Sequence, residues 1–373
     1  MPLTVPLLDL VAQHRTIRDE VMPALLAVVE RQTFIMGEEV PALESAIAAL
    51  SHVEHAIACA SGTDALLLPL RALGLERGDE VIVPAFTFFA TAGAVHNAGG
   101  TPVFAEIRPE TFNLDPAAVE AAITPRTRAI IAVDLYGQMA AMDELAAIAE
   151  RHGLMLIEDG AQAIGARRKV DGAWRMCGEL ATVGTLSFFP SKNLGGWGDG
   201  GMMLTRDKAL ADRLRKLRLH GGAKQYHHEE VGFNSRLDTV QAAVLLVKLR
   251  HLARWSAARR AVAERYDELL APVTAIRTPV VDPQNEHIFH QYTVRAERRD
   301  ALVESLRANG IGCAIYYPIG LHQQPCFAHL GYRRGSLPVT EAAMAEVVSL
   351  PVYPELAPAQ QDAVVAAIRS FYS

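Results

Sequence analysis

Lys192 stands in the run Ser187-Phe188-Phe189-Pro190-Ser191-Lys192-Asn193, and thirty-three positions earlier Asp159 ends the run Leu154-Met155-Leu156-Ile157-Glu158-Asp159. A primary amine can condense with a carbonyl to form a Schiff base. A carboxylate held against a pyridine nitrogen favours the protonated, electron-withdrawing ring. An amine and a carboxylate in those two roles are what pyridoxal phosphate (PLP) asks of a protein. Taken singly, Lys192 also reads as a solvated surface lysine and Asp159 as a strand-terminal or capping carboxylate.

Further residues fit the same cofactor. Gln162 follows Asp159 by three positions, near enough to touch one ligand if the chain turns, and its amide can hydrogen-bond a phenolate oxygen such as O3′ of PLP. Ala60-Ser61-Gly62-Thr63-Asp64 precedes a helical run, and free amides at a helix start suit a phosphate. A Ser or Thr there is equally an ordinary N-cap. Ser187, five positions before Lys192, offers a second donor to that phosphate. Phe88, within Pro84-Ala85-Phe86-Thr87-Phe88-Phe89, could stack on a planar ring, although such clusters more often serve the core.

Parallel strands must position these residues. From residue 40 to about 250, helical periodicity alternates with short apolar runs, the pattern of a mostly parallel sheet covered by helices. Strands are expected over 80–84, 102–106, 129–134, 154–159 and 184–189, and helices over 40–50 and 63–73. Ligands of such sheets sit beyond the carboxyl ends of the strands, where Asp159 and Ser187 fall. The glycine-rich stretch Gly195 to Gly201 formally contains GxGxxG. It leads into the strand-like Met202-Met203-Leu204 rather than a helix, which argues against a dinucleotide site. Helices from Leu237 and ending near Leu270 form a bridge. Beyond them, a strand over 291–296, a helix over 299–309 and a strand over 311–317 make a small α+β unit. The expected division is a large α/β domain over 1–250, including the N-terminal segment, and a small C-terminal α+β domain over 251–373.

Composition sets the outer limits. With 373 residues, half of them hydrophobic and 21% charged, the chain can bury a sizeable interior and is neither disordered nor a coiled coil. A net charge of −6 gives no basic field for nucleic acid or an anionic membrane. The segment Met1 to Leu10 lacks a basic region followed by a long apolar core, and no apolar run reaches membrane-spanning length, so a cytoplasmic protein is expected. Cys59, Cys177, Cys313 and Cys326 are far apart and read as reduced thiols in packed surroundings. His227-His228-Glu229-Glu230 lacks a matching ligand pair, and no metal is called for; Tyr226 and His227 fall instead beside a possible subunit seam.

Longer motifs carry a resemblance along nearly the whole chain. Ser61-Gly62-Thr63-Asp64-Ala65, Asp79 to Pro84, Tyr136-Gly137-Gln138, Glu158-Asp159-Gly160-Ala161-Gln162, Ser187 to Gly201, Gly232-Phe233-Asn234-Ser235-Arg236-Leu237-Asp238 and Tyr317-Pro318-Ile319 are similar to those of the DegT/DnrJ/EryC1/StrS nucleotide-sugar aminotransferases, a fold-type I branch of the PLP enzymes. The resemblance implies that Lys192 is the Schiff-base lysine, Asp159 the ring-nitrogen partner, Gln162 the O3′ contact and Phe88 the stacking aromatic. It further implies a phosphate cup of Gly62, Thr63 and Ser187, completed by Asn234 from the neighbouring subunit of a homodimer. Related sugar dehydratases carry histidine at the lysine position; this chain has Lys192.

Phe189-Pro190-Ser191-Lys192 and Asp159-Gly160-Ala161-Gln162 look most similar to enzymes that aminate C3 of a UDP- or dTDP-linked 3-keto sugar, with L-glutamate the expected donor. C4 amination of a 4-keto-6-deoxy sugar and a non-catalytic regulator of the same fold remain alternatives. Arg236 could grip a sugar carboxylate or diphosphate, and Tyr316, Tyr317 and His322 are assigned to the substrate side. Tyr316 and Gly320 depart from the family's common pattern there, which bears on the sugar rather than on the cofactor.

Overall fold

The computed structural model describes residues 4–224 and 226–373, so the first three residues of the N-terminal stretch and Gln225 lie outside the described residues. Its centre is a seven-stranded sheet ordered β1-β9-β8-β5-β4-β2-β3. The strands are β1 His55–Cys59, β2 Glu80–Pro84, β3 Thr101–Ala105, β4 Thr127–Val133, β5 Met155–Asp159, β8 Val183–Ser187 and β9 Gly201–Thr205. A hairpin, β6 Arg167–Val170 and β7 Ala173–Met176, lies between β5 and β8 in sequence. Pairings from β3 through β8 are parallel, whereas β9 runs antiparallel to both β8 and β1. All five residues of β2 are buried, as expected when both faces of a parallel strand are covered.

The helices that cover the sheet are α2 Glu39–Leu50, α3 Gly62–Leu73, α4 Ala90–Ala98, α5 Pro116–Ala122, α6 Met142–His152, α7 Lys208–Leu217 and α8 Thr239–Leu249. Val40, Leu43 and Ile47 of α2 and Ala242 and Leu245 of α8 share one apolar core with Ile130 and Leu156 of the sheet. A 22-residue helix, α1 Leu10–Arg31, lies against α8, burying Val21 beside Val244 and Val247.

A second apolar core lies outside the sheet. It joins α9 Leu252–Leu270 to β12 Tyr292–Ala296, α10 Arg299–Ala308, β13 Val347–Leu350 and α12 Pro358–Tyr372, and it includes Val5. A short strand, β10 Ile276–Arg277, completes the β10-β12-β13 sheet, and α11 Pro338–Glu346 precedes β13. The N-terminal segment, expected with the large unit, thus contributes a residue to the smaller core. The segment expected as a strand over 311–317 is not continuous; isolated bridges join Val5 to Ile311 and Ala314 to Ser349. Val5 both donates to the Gly310 carbonyl and accepts from the Gly312 amide, which occupies the edge that a longer strand would use.

The two units are also stitched by β11 Asn285–Glu286, which pairs with β6. Buried Arg168 on β6 donates to Asp143 on α6 at 2.8 Å and to Asp282 at 2.9 Å. A guanidinium can be buried here because two carboxylates face it. Cys59, Cys177 and Cys313 are buried free thiols, in line with packed surroundings, but Cys326 is exposed and departs from that expectation.

Replacing Leu245 by Ala should cost about 2–5 kcal/mol, the usual cavity cost for a fully buried leucine. Urea unfolding checks this, and a loss below about 1 kcal/mol would contradict the packing of α8 on the sheet.

Candidate active site

Several loops that leave the carboxyl ends of the strands carry chemistry. Asp159 is the last residue of β5, its carboxylate buried. One oxygen accepts from the Thr91 hydroxyl on α4 at 2.9 Å and the other from the Ala161 amide at 3.3 Å. Burial holds this carboxyl above the usual range, against the opposing pull of those two donors and of the Lys192 charge. Lys192 lies in the turn after β8 and is half-buried. Burial lowers its ammonium to about 8, with nearby Asp159 acting in the opposite direction. Each group thus gives up some of its preference for charge while sensing the other across the site.

Gln162 is fixed at both ends of its amide. Its oxygen accepts from the Tyr136 backbone amide at 2.7 Å, and its nitrogen donates to the Tyr317 hydroxyl at 3.2 Å. Tyr317 in turn lies 6.3 Å from the Phe88 ring at a tilt of 43° and 6.1 Å from Phe86. Phe88 is 59% exposed, so one ring face is open to a ligand. Tyr316 is half-buried beside Tyr317, and its carbonyl accepts from the Tyr136 hydroxyl. Asp159, Lys192, Gln162, Tyr317 and Phe88 therefore form one chain of neighbours.

The candidate phosphate cup is equally local. Ser61 caps α3, accepting from the Asp64 amide at 3.1 Å, which leaves the first-turn amides of Gly62 and Thr63 free of helical partners. A side chain on Gly62 would bring its Cβ within 2.7 Å of Ser187 Cβ. Glycine is what lets the start of α3 meet the end of β8. On the opposite side, a Cβ on Gly201 would lie 2.2 Å from the Ser61 carbonyl oxygen, so the glycine-rich run serves close backbone contact as β9 enters the sheet. Thr63 is exposed at this helix start.

Three predicted residues lie apart. Asn234 is exposed and Arg236 half-buried, on either side of buried Ser235. The Ser235 hydroxyl donates to Asp64 at 2.6 Å and accepts from the Ala60 amide at 3.2 Å, which ties this segment to the foot of α3. Arg236 lines a separate open cavity of about 680 Å³ with His220, Lys224 and Tyr226. His322 is closed from solvent and faces Glu341 at 3.3 Å, so it offers no open surface to a ligand within this chain. Glu229 and Glu230, beside His227 and His228, are engaged by Lys216 and Arg213.

Sequence alone does not reveal Thr91, the hydroxyl partner of Asp159, or the Tyr136 amide that holds Gln162. Nor does it reveal His290, whose Nδ1 lies 2.9 Å from the Asn193 side-chain oxygen beside Lys192. No spacing rule flags a lone threonine in a first helical turn or a backbone amide, whereas His290 near the start of an expected strand was at least visible as a residue type.

The donor set fits PLP: an amine with weakened charge, a buried carboxylate, a fixed amide, an open aromatic face, and a helix start crowded against a serine. Thr91→Val should weaken PLP binding by about 10- to 100-fold, as removal of one hydrogen bond to a charged group implies; absorbance titration of the apoprotein measures it. In the apoprotein, labelling of Lys192 by an amine-directed acylating reagent should be half-maximal near pH 8, well below an ordinary lysine. Peptide mass spectrometry across that range tests this, and labelling that tracks surface lysines would contradict it.

The profile of the DegT/DnrJ/EryC1/StrS aminotransferase family matches residues 15–369. A protein of Geobacillus stearothermophilus named a pleiotropic regulatory protein is 51% identical, covering 99% of each chain. The UDP-N-acetyl-3-dehydro-alpha-D-glucosamine 3-aminotransferase of Acidithiobacillus ferrooxidans is 46% identical, covering 98% of this chain and 97% of its own. The crystal structure of S. venezuelae DesV in complex with a ketimine intermediate superimposes with a TM-score of 0.96 at 44% identity, covering 100% of this chain and 99% of that one. The chain belongs to the DegT/DnrJ/EryC1/StrS aminotransferase family and is a PLP-dependent aminotransferase.

Proposed function

We propose that the chain moves an amino group from L-glutamate to C3 of a UDP- or dTDP-linked 3-keto sugar, working in the cytoplasm as a homodimer. The observation that carries the transaminase reading is Lys192, its ammonium weakened by burial, set in the turn after β8 within electrostatic reach of Asp159. C3 is supported by the A. ferrooxidans relative, whose name specifies a 3-dehydro sugar and a 3-aminotransferase.

When bound, PLP supplies an electron sink for the carbon that gains or loses a proton. Asp159 would hold the ring nitrogen in its protonated form, with Thr91 and Ala161 keeping the carboxylate aimed. Lys192 Nζ would be the amine that holds the cofactor, and its lowered affinity for a proton near neutral pH suits a group that takes up and returns a proton. Gln162, braced by Tyr136 and Tyr317, would meet the phenolic oxygen. The amides of Gly62 and Thr63 and the Ser187 hydroxyl would take the phosphate.

The subunit partner is supported by what is exposed. Asn234 faces solvent, Tyr226 is 88% exposed, and Phe88, Phe189 and Trp197 are all more than a third exposed. We assign Asn234 to the phosphate of a second copy and Arg236 to the anionic part of the substrate; Tyr316 and Tyr317 line the sugar side. His322 is buried against Glu341, so we assign it no contact with the sugar.

Incubation with glutamate and a panel of UDP- and dTDP-linked 3-keto and 4-keto sugars tests this reading. An amino sugar with nitrogen at C3, assigned by NMR, is the expected product; nitrogen at C4 overturns the position, and no product with any of these sugars overturns the substrate class. Lys192→Ala should reduce turnover by at least about 10²–10⁴-fold, the range expected for losing an acid–base group alone, with an unchanged circular dichroism spectrum.

A further inference from the structure

Behind Asp159, on the face of β5 turned away from Lys192, lies a second acidic pair. Side chains alternate along a strand, so Glu158 points opposite to Asp159. It meets Asp134, which follows the end of β4 and whose amide donates to the Asp159 carbonyl at 3.0 Å. Both side chains are fully buried. One Asp134 oxygen accepts from the Ala140 amide at 2.8 Å, and one Glu158 oxygen from the Gly178 amide at 2.9 Å. The remaining oxygen of each has no partner among the described residues. One acceptor atom from each acid and the Cys177 sulfur lie within 4.8 Å of one another.

Two ionised carboxylates cannot be left facing each other in a dry interior. The groups around them are Cys177 from the turn before Gly178 and, from the cofactor side, Asp159; among the described residues no lysine, arginine or histidine figures among the main influences on either acid. One proton placed between the two unpaired oxygens satisfies both. We propose that Asp134 and Glu158 hold a single shared proton and act as positioning residues for Asp159, clamping the ends of β4 and β5 from beneath the cofactor. The clamp reaches both sides of the site: β5 carries Asp159, and Tyr136, two residues after Asp134, holds Gln162. Burial raises both acids, Glu158 well above the usual carboxylate range, which agrees with a proton retained near neutral pH.

This inference builds on the role proposed for Asp159, so its test includes measurements that do not require turnover. Glu158→Gln keeps the shape, an acceptor for the Gly178 amide and a donor for Asp134; Glu158→Leu keeps neither polar contact. Holoenzyme with Glu158→Gln should stay within about 3-fold of the parent in PLP affinity and kcat, whereas Glu158→Leu should lose about tenfold or more in PLP affinity with the sugar KM little changed. If the leucine variant does not fold, the glutamine variant alone decides. Infrared spectra of the parent at neutral pH should contain the carbonyl stretch of a protonated buried carboxylic acid, absent from Glu158→Gln.

Thermal unfolding of the apoproteins adds a pH signature. A carboxyl raised in the folded state favours folding while the pH is low, and that contribution is lost as pH climbs through the raised value. The melting temperature of the parent should therefore fall relative to Glu158→Gln as the pH rises from about 5 through neutrality. A glutamine variant as damaged as the leucine one, a flat difference with pH, or no protonated acid in the parent would overturn the proposal. So would a stoichiometric cation in the purified protein, detected by elemental analysis.

Discussion

The site depends on how an amine and a carboxylate can be kept close and dry without collapsing into a permanent ion pair. Burial disfavours both charges, while each charge favours the other. In this chain the first effect is the larger at both ends: Asp159 lies above the usual carboxylate range and Lys192 below the usual lysine range. That balance lets Lys192 give up its proton more readily than a surface lysine would and leaves the Asp159 carboxylate able to gain from a further hydrogen-bond donor. A surface pair would be screened and locked in its charged form; a pair in a fully apolar core would be neutral and inert.

Parallel strand ends supply the rigidity this balance needs. Five parallel strands, from β3 to β8, end on one edge of the sheet; the loops leaving β2, β4 and β8 bring Phe88, Tyr136 and Lys192 to it, and Asp159 ends β5 there. The supports are mostly backbone donors and short side chains: the Thr91 hydroxyl, the Ala161 and Tyr136 amides, the cap at Ser61. Such groups have little rotational freedom to lose, so they hold the reactive atoms at low entropic cost.

Much of this was legible in the order of residues. Continuous apolar runs such as Val81-Ile82-Val83 identify β2, and the alternation of strands and helices gave the fold class. The glycine-rich run leads into β9, as the strand-like Met202-Met203-Leu204 indicates. Strand β1 was missed because His55-Ala56-Ile57-Ala58-Cys59 is short and rich in alanine. The β6–β7 hairpin was missed because Arg167-Arg168-Lys169 reads as surface; it is held by Asp143 and Asp282, far away in sequence. Thr91 and the Asp134–Glu158 pair escaped for the same reason: their significance comes from what lies across the strand, which no local pattern records.

Val5 sits in the smaller core, its backbone threaded between Gly310 and Gly312. During synthesis on the ribosome, roughly three hundred residues must therefore emerge before that segment finds its place. The sheet can assemble meanwhile, but the smaller core must wait for chain made long before to be recaptured, so its closure is a late event with a long loop to shut.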